Sequence, residues 1–321
     1  MKVMCPSLDI IIVNWNAGRQ LRDCLESIVS VRRDGFTLGR VVVVDNASSD
    51  GSLDDLDALS LPLNIIRNSI NRGFGAACNQ GAALCDARYL LFLNPDTVVF
   101  ENSFDVPLAF LENEASQDVG ICGIQLVDEK GHVAHTCSRF PSLWRFAAQA
   151  IGLNKIPGLR TTGMLMAEWD HFSDKLVDQV MGAFFFTRRT VFEGLKGFDE
   201  RFFVYFEEVD FSLRATKLGW ETVYLTGAQA FHQGGGTSRQ VKATRLFYSL
   251  RSRLLYGFKH FPRWQAWLLL GQMLLVEALG RSIFSLLRGG IKDVRNTWSG
   301  YGMLYRDLPG ILGKSSGNEG K

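Results

Sequence analysis

No excess of charge marks this chain: 35 basic against 33 acidic residues leave a formal net charge of +2. A protein that binds nucleic acid through bulk electrostatics needs a larger surplus, so that class is set aside. The six cysteines (Cys5, Cys24, Cys78, Cys85, Cys122 and Cys137) include no CxxC pair. They read as reduced core residues, not as a disulfide framework or a zinc site. No G-x-x-x-x-G-K-[ST] occurs, and no G-x-G-x-x-G follows either of the first two apolar runs, so P-loop and dinucleotide-binding readings lack their fingerprint. The start does not read as a signal peptide, because the apolar run Leu8–Val13 is short and passes directly into Asn14-Trp15-Asn16. A clean membrane span is missing too. The apolar stretch from Trp264 to Leu287 is interrupted by Gln272, Glu277 and Arg281, and a central charge costs roughly 2.5–3.5 kcal/mol on the insertion scale.

What the chain does have is a core: 46% of its 321 residues are apolar, enough for one large domain or one and a half. Dense apolar runs at Leu8–Val13, Val41–Val44, Asn64–Arg67, Tyr89–Leu93 and Gly120–Leu126 predict strands. Between them, Leu21, Cys24, Leu25 and Ile28 are helically spaced, as are Ala76–Cys85 and Phe104–Leu111. This rhythm predicts an α/β fold with a mostly parallel sheet and helices on both faces. Ligands of such sheets bind at the carboxyl ends of the strands. Asn14 and Asn16 follow the first strand there, Asp45 and Asn46 the second, and Asn94-Pro95-Asp96 the fourth. Lys130 to Asp178 is irregular and reads as a lobe or acceptor-side insertion. Order returns at Gln179–Thr187, in a helix over Val209–Leu218 and in short strands Thr222–Leu225 and Gln229–Phe231. His232-Gln233-Gly234-Gly235-Gly236-Thr237-Ser238 is expected to be a mobile loop.

The densest chemical signal is Phe206-Glu207-Glu208-Val209-Asp210-Phe211. Carboxylates among aromatic residues are costly unless paired or hydrogen-bonded. On a helix, Glu207 and Asp210 share a face while Glu208 points about a quarter turn away. One acid can then be a base while another holds a distant partner. A helix N-terminus, where acids favour the dipole, is the plain alternative. Asp45 can accept from a ribose or a base N–H, while an Asx turn or cap is better served by Asp50 or Ser52. Arg72-Gly73-Phe74-Gly75 offers a cation and a permissive backbone before a helix. Asp96 suits a divalent cation whose other ligands are phosphate oxygens, water and one distant side chain. His232 is the candidate for that side chain, although a lone histidine is more often structural. Together these residues describe transfer to a nucleophile from a nucleotide-bound phosphate ester. A non-catalytic nucleotide-sugar sensor or assembly subunit would share Asp45 and Asp96 without needing a base.

Ile11-Ile12-Val13-Asn14-Trp15-Asn16, Val43-Val44-Asp45-Asn46-Ala47-Ser48-Ser49-Asp50-Gly51-Ser52, Asn71-Arg72-Gly73-Phe74-Gly75, Leu93-Asn94-Pro95-Asp96 and the run from Gly197 to Asp210 stand in that order. They resemble the inverting family 2 glycosyltransferases, closest to the rhamnosyltransferase-like branch of bacterial surface polysaccharide synthesis. The resemblance covers about residues 8 to 260 and implies the type A glycosyltransferase fold plus a C-terminal helical region. It implies that Asp45 binds the nucleobase or ribose, with Asn14, Asn16, Asn46 and Arg72 on the donor side. Asn94 and Asp96 match the Asp-x-Asp motif, with Asp96 at its metal-binding end, and His232 matches a late histidine that completes metal or diphosphate binding. Gly182-Ala183-Phe184 matches the small-residue strand beneath the donor sugar. Glu208 matches the catalytic base, with Glu207 beside it and Asp210 on the acceptor side. Asn94 in place of Asp leaves the metal fewer protein ligands. The base is Glu where many relatives have Asp, which moves the carboxylate by about 1 Å.

The resemblance further implies a nucleoside diphosphate sugar donor, Mg²⁺ or Mn²⁺, and a saccharide acceptor, often carried on a polyprenyl diphosphate. dTDP-L-rhamnose is favoured as donor on branch likeness alone, ahead of the UDP-hexoses. Residues 1–127 are expected to form the nucleotide-sugar-binding half and 128–237 the acceptor-side half with the acids. Residues 238–312 would be a basic and apolar helical region, and 313–321 a disordered tail. Between Ser238 and Arg263 stand Arg239, Lys242, Arg245, Arg251, Arg253, Lys259, His260 and Arg263 without an acid. Followed by Trp264, Trp267 and leucines, this predicts an interfacial helix on the anionic inner face of the cytoplasmic membrane, at roughly Arg251 to Arg288. A buried helical hairpin or a homodimer contact is the competing reading.

Overall fold

The computed structural model describes residues 5–234 and 242–316. β1 (Ser7–Asn14) carries seven consecutive buried residues, a run that only a central strand covered on both faces can bury. It pairs in parallel with β2 (Thr37–Asp45) and β4 (Tyr89–Leu93), and β3 (Leu63–Arg67) adds in parallel outside β2. On α1 (Arg19–Ser30), Leu21, Cys24, Leu25 and Ile28 are buried and join Ile10, Ile12, Val41 and Val43 in one core cluster. The alternate side chain Ile11 meets α2 (Phe74–Ala82). A Cβ at Gly81 would lie 2.6 Å from Ile11 Cγ2, so the close approach of this helix requires glycine.

Beyond β4 the sheet becomes mixed. Its order is β3-β2-β1-β4-β8-β6-β9-β5, with β7 also on β9. β8 (Phe184–Arg188) is antiparallel to both β4 and β6 (Val119–Val127). β9 (Glu221–His232) runs parallel to β6 but antiparallel to β5 (Thr97–Val99) and β7 (Lys175–Val177). The mostly parallel sheet expected is parallel through β1 to β4 and again between β6 and β9. Antiparallel neighbours need no crossover helix, which is why the strand–helix rhythm fades in the second half. The two short strands expected at 222–225 and 229–231 are one strand, with a register shift opposite Ile124 and Gln125.

α3 (Asp105–Glu112), α5 (Arg189–Gly194) and α6 (Glu207–Lys217) complete this part. Phe92, Phe185, Phe192, Phe198 and Phe211 pack with ring centroids 5.0–5.6 Å apart. Burying each contributes roughly 1.5–3 kcal/mol, anchoring α5 and α6 to the sheet. All six cysteines are free thiols.

By compactness the chain forms two units that interleave in sequence, not the consecutive blocks expected from chain order. Met1–Arg139, Trp169–Glu200 and Glu207–Thr237 carry the sheet; Phe140–Glu168, Arg201–Phe206 and Ser238–Lys321 form the other. The second unit contains α4 (Leu143–Ala150), α7 (Lys242–His260), α8 (Arg263–Gln272), a π-helical turn Met273–Glu277 and α9 (Ala278–Ser316). Gly290, with φ 68°, breaks α9. The disordered tail expected from 313 is helical as far as Ser316, and 317–321 lie outside the described residues. So do 235–241, which include most of the expected glycine loop and Arg239.

Inside the second unit Arg253 and Glu277 are both buried. The Arg253 guanidinium donates to both Glu277 oxygens at 2.7 and 2.9 Å, and Arg281 Nε donates to Glu277 Oε1 at 2.7 Å. Arg251 Nε donates to Asp307 at 2.7 Å. Two arginines expected to face lipid are therefore internal; a buried guanidinium is held by its partner carboxylate and not by solvent.

Candidate active site

The carboxyl ends of β1 and β2 end side by side, with Asn14 opposite Asp45. Asn14 is fully buried, and its amide nitrogen lies 2.7 Å from Asp45 Oδ1, 3.0 Å from Ser48 Oγ and 2.8 Å from Ser52 Oγ. Ser48 N–H donates to Asp45 Oδ2 at 3.1 Å, so Asp45 makes its own side-chain turn as Asp50 does with Ser52 N–H. Asn16, at φ 50°, accepts from Ser49 N–H at 2.8 Å. Asn14 thus touches no donor itself; it orients the carboxylate that could. Ser52 was read from the sequence only as a cap candidate and Ser48 was not singled out, because serines in a polar turn carry no distinctive pattern.

The second strand end is tied to the next helix. Asn46 donates to the Gly73 carbonyl at 3.1 Å and accepts from Asn68 at 3.0 Å. Gly73, at φ 88°, caps α2, and Arg72 beside it is exposed. This brings Arg72, distant in sequence, to the edge of the sheet where Asp45 and Asn46 stand.

The third group gathers where β4 and β9 end and β8 begins. Asn94 N–H donates to the Ala183 carbonyl at 3.0 Å and Gln233 N–H to the Asp96 carbonyl at 3.2 Å. His232 pairs with Thr97 across the β5–β9 ladder, which sets His232 Nε2 3.3 Å from Asp96 Oδ1. Adjacent ligands of an octahedral Mg²⁺ lie about 3 Å apart, so this oxygen–nitrogen pair fits two neighbouring positions around one divalent ion. Among the described residues no cluster of three or more His, Cys, Asp or Glu side chains could hold a metal. Any ion here would draw its remaining ligands from phosphate and water.

α6 begins at Glu207, two residues before the expected start, so all three acids fall in its first turn. They divide by environment. Asp210, expected on the acceptor side, is fully buried and accepts from Arg214 Nε at 2.8 Å. Arg214 also donates to the carbonyls of Leu195 and Gly197. Asp210 therefore locks α6 to the preceding turn and is out of an acceptor's reach, as the 3.6-residue period turns it into the protein. Glu207 is 5% exposed and its Oε2 has no hydrogen-bond partner. Burial, then the adjacent Glu208 charge, push its carboxyl well above the ordinary value of 4.5. Glu208 is half-buried. A Cβ built on Gly182 would lie 3.8 Å from Glu208 Cγ, an ordinary contact distance, so the glycine backbone runs beside this side chain.

Two residues directly before these acids are backbone-strained: Tyr205 has φ 68° and Phe206 φ 72°. A non-glycine residue there costs of order 1–3 kcal/mol. Aromatic residues disfavour this region, so nothing in the sequence marks it.

The raised carboxyl of Glu207 has a pH consequence. The folded state binds its proton more tightly than the unfolded chain, so this contribution is complete below the unfolded value and is lost as pH rises through the folded one. Glu207→Gln removes the ionisable group. Its thermal midpoint relative to wild type should therefore rise between about pH 5 and pH 8; a difference independent of pH in thermal melts would refute the buried, proton-bearing state.

Residues 9–168 match the family description Glycosyl transferase family 2. The chain belongs to that family. It is 26% identical over 289 residues to the N-acetylglucosaminyl-diphospho-decaprenol L-rhamnosyltransferase of Mycobacterium tuberculosis, covering 85% of this chain and 92% of that protein. Rhamnosyltransferase WbbL of Escherichia coli is 26% identical over 174 residues, 53% of this chain and 62% of WbbL. Among solved structures, the mannosyltransferase PcManGT of Pyrobaculum calidifontis, in complex with GDP-Man and Mn²⁺, superposes with a TM-score of 0.54 at 13% identity. That likeness covers 99% of this chain and 89% of PcManGT. S. aureus TarS 1-349 in complex with UDP-GlcNAc gives 0.52 at 14% identity, covering 92% and 91%. The family 2 chain therefore has the type A glycosyltransferase fold, a mixed sheet flanked by helices, with a distinct C-terminal helical region. It is a nucleotide-sugar-dependent glycosyltransferase related to bacterial rhamnosyltransferases of surface polysaccharide synthesis.

Proposed function

We propose that this glycosyltransferase moves L-rhamnose from dTDP-L-rhamnose, with inversion, onto a hydroxyl of a polyprenyl-diphosphate-linked saccharide. The observation that carries the mechanism is the half-buried Glu208 side chain, in the first turn of α6 and beside the Gly182 backbone. Glu208 takes the acceptor proton as the acceptor oxygen bonds to the anomeric carbon. The bond from that carbon to the diphosphate oxygen breaks on the opposite face, and the diphosphate leaves with its electron pair. Glu207 is less suited as base because its carboxyl is buried at 5% exposure, which opposes its ionisation. Asp45 holds the nucleoside, with Asn14 orienting it, and Asn46 and Arg72 line the same edge. Asp96 and His232 would hold one Mg²⁺ or Mn²⁺, which when bound supplies positive charge to the leaving diphosphate. The donor assignment rests on likeness to the rhamnosyltransferases; a UDP-hexose is the second reading.

Thermal shifts across a nucleotide-sugar panel test this. A donor at 100 times its Kd stabilises by about 2.7 kcal/mol, and dTDP-L-rhamnose with Mg²⁺ should give the largest shift. The shift should shrink after chelation and in Asp96→Asn. Stabilisation by UDP with none from dTDP overturns the donor. Undiminished transfer after thorough chelation would remove the metal from the scheme.

The same reading places the enzyme on the inner face of the cytoplasmic membrane. Arg263–Leu287 is by length and composition apolar enough to cross a membrane. In the second unit, however, its buried side holds Glu277 while Trp264 (61% exposed), Leu275, Leu279, Ile283 and Leu287 (78%) face outward. Glu277 is the sole acid from Lys242 to Lys292, so exposed charge along this stretch is cationic. Trp144, Ile151 and Ile156 are exposed too, and Lys155 Nζ lies 5.0 Å over the Phe284 ring. This combination suits shallow burial in an anionic surface. The protein should float with liposomes containing anionic lipid and lose binding in about 0.5 M salt. Failure to bind, with dimerisation through this face instead, would reassign it to a second copy.

A further inference from the structure

Phe198 lies outside any helix or strand, yet it is only 3% exposed. Its buried N–H and C=O need partners that regular structure does not supply there. One side chain serves both. Asn79, on α2, accepts from Phe198 N–H through Oδ1 at 2.9 Å and donates to the Phe198 carbonyl through Nδ2 at 2.8 Å. Nδ2 also donates to Glu200 Oε1 at 3.1 Å. A Cβ on Gly197 would lie 2.5 Å from Asn79 Oδ1, so glycine at this left-handed position (φ 72°) admits the amide.

The residue so clipped supports α6 beyond its acids. The Phe198 ring packs on Phe211 with centroids 5.1 Å apart, and Phe211 stands nearly one helical turn past Glu208. Arg214, further along α6, donates to the Leu195 and Gly197 carbonyls at 2.7 and 2.8 Å. α6 is therefore tied to the stretch 195–198, and Asn79 ties that stretch to α2. The first residue of α6 stands close to the same turn of α2. Cys78, next to Asn79, is buried, and burial first, then the nearby Glu207 carboxyl, keep its thiol well above the ordinary value. At its other end α2 starts at the donor edge, where its cap Gly73 accepts from Asn46. All of these groups belong to the unit that carries the sheet.

We propose that Asn79 is a positioning residue for the base: by clipping Phe198 it fixes α6, and with it Glu208, relative to the donor edge at the start of α2. This rests on the reading of Glu208 as the base. Asn79 touches neither donor nor acceptor in this scheme. It acts on the rate because a displacement of about 1 Å at a catalytic group can cost about 100-fold.

The test uses the full chain. Asn79→Ala should lower kcat about 10- to 100-fold with donor KM unchanged. In the Glu208→Gln background no base is left to aim, so the additional loss should fall below about threefold. Hydrogen exchange at Phe198 and over 211–217 should become about tenfold faster, with β1, β2 and β4 unaffected. Asn79→Asp keeps the acceptor for Phe198 N–H and loses both donated bonds. It should lower kcat about 3- to 10-fold, and it carries the test if Asn79→Ala does not fold. A merely structural role predicts a lower thermal midpoint with unchanged kcat per folded molecule, and that pattern overturns the proposal. So does an equal loss of kcat in both backgrounds, or unchanged exchange over 211–217. The exchange readout needs no donor. A wild-type chain inactive with every nucleotide sugar, whose α6 still loosens in Asn79→Ala, would refute the assigned reaction and leave the clip intact.

Discussion

Glu208→Gln should lower kcat by about 10²–10⁴-fold while leaving donor affinity nearly intact. The substitution keeps the size of the side chain half-buried beside Gly182 and removes only its ability to take a proton. Donor binding is assigned to Asp45, Asp96 and His232 on other strand ends, so thermal stabilisation by the nucleotide sugar should survive. The companion Glu207→Gln should retain far more activity, since the Glu207 carboxyl is buried and its ionisation is already opposed. Rates measured with saturating donor and acceptor decide it. Turnover close to wild type in Glu208→Gln, or a deeper loss in Glu207→Gln, would move the base elsewhere.

Breaking the internal ion pair should have the largest effect on stability. Glu277→Gln leaves the buried Arg253 guanidinium without its counter-charge, at about 3–5 kcal/mol, or a fall of roughly 5–15 °C in thermal midpoint. Burial opposes ionisation of Glu277, but Arg253 and then Arg281 outweigh it and hold the carboxyl below its ordinary value. A depressed carboxyl stabilises the fold above the unfolded value, and that contribution is lost as pH falls through the folded one. The deficit of Glu277→Gln should therefore be greatest near neutral pH and shrink in acid. Replacing the pair together, Arg253→Met with Glu277→Leu, should cost much less, because no charge is left buried and Arg281 is partly solvated. A loss below about 1 kcal/mol in the single variant, by denaturant unfolding, would show that the pair is not desolvated as described.

The parallel half of the sheet was legible because each of its strands is a dense apolar run followed at its carboxyl end by a polar turn. β1, β2 and β4 bury every residue near those ends, and hydrophobic periodicity reports burial directly. The same logic pointed to Asp45 and Asp96, while the density of acids pointed to Glu207, Glu208 and Asp210. Asp96 and His232 were paired through resemblance, and only the β5–β9 ladder explains how residues 136 positions apart meet at 3.3 Å. β5, three residues long, has too little pattern to be read alone.

What the sequence determined by itself is the strands of the first half of the sheet, the chemistry available at their ends and the family. Those depend on local periodicity and on side-chain type, both of which a linear string carries. Tertiary structure decided which acid does what. Glu207, Glu208 and Asp210 are nearly alike as letters, yet one is buried beside a like charge, one is half-exposed against a glycine and one is held by Arg214. It likewise decided that Arg251 and Arg253 face inward and that Asn79 clips Phe198. Ionisation and strain depend on neighbours brought from distant parts of the chain, and those exist only once it has folded.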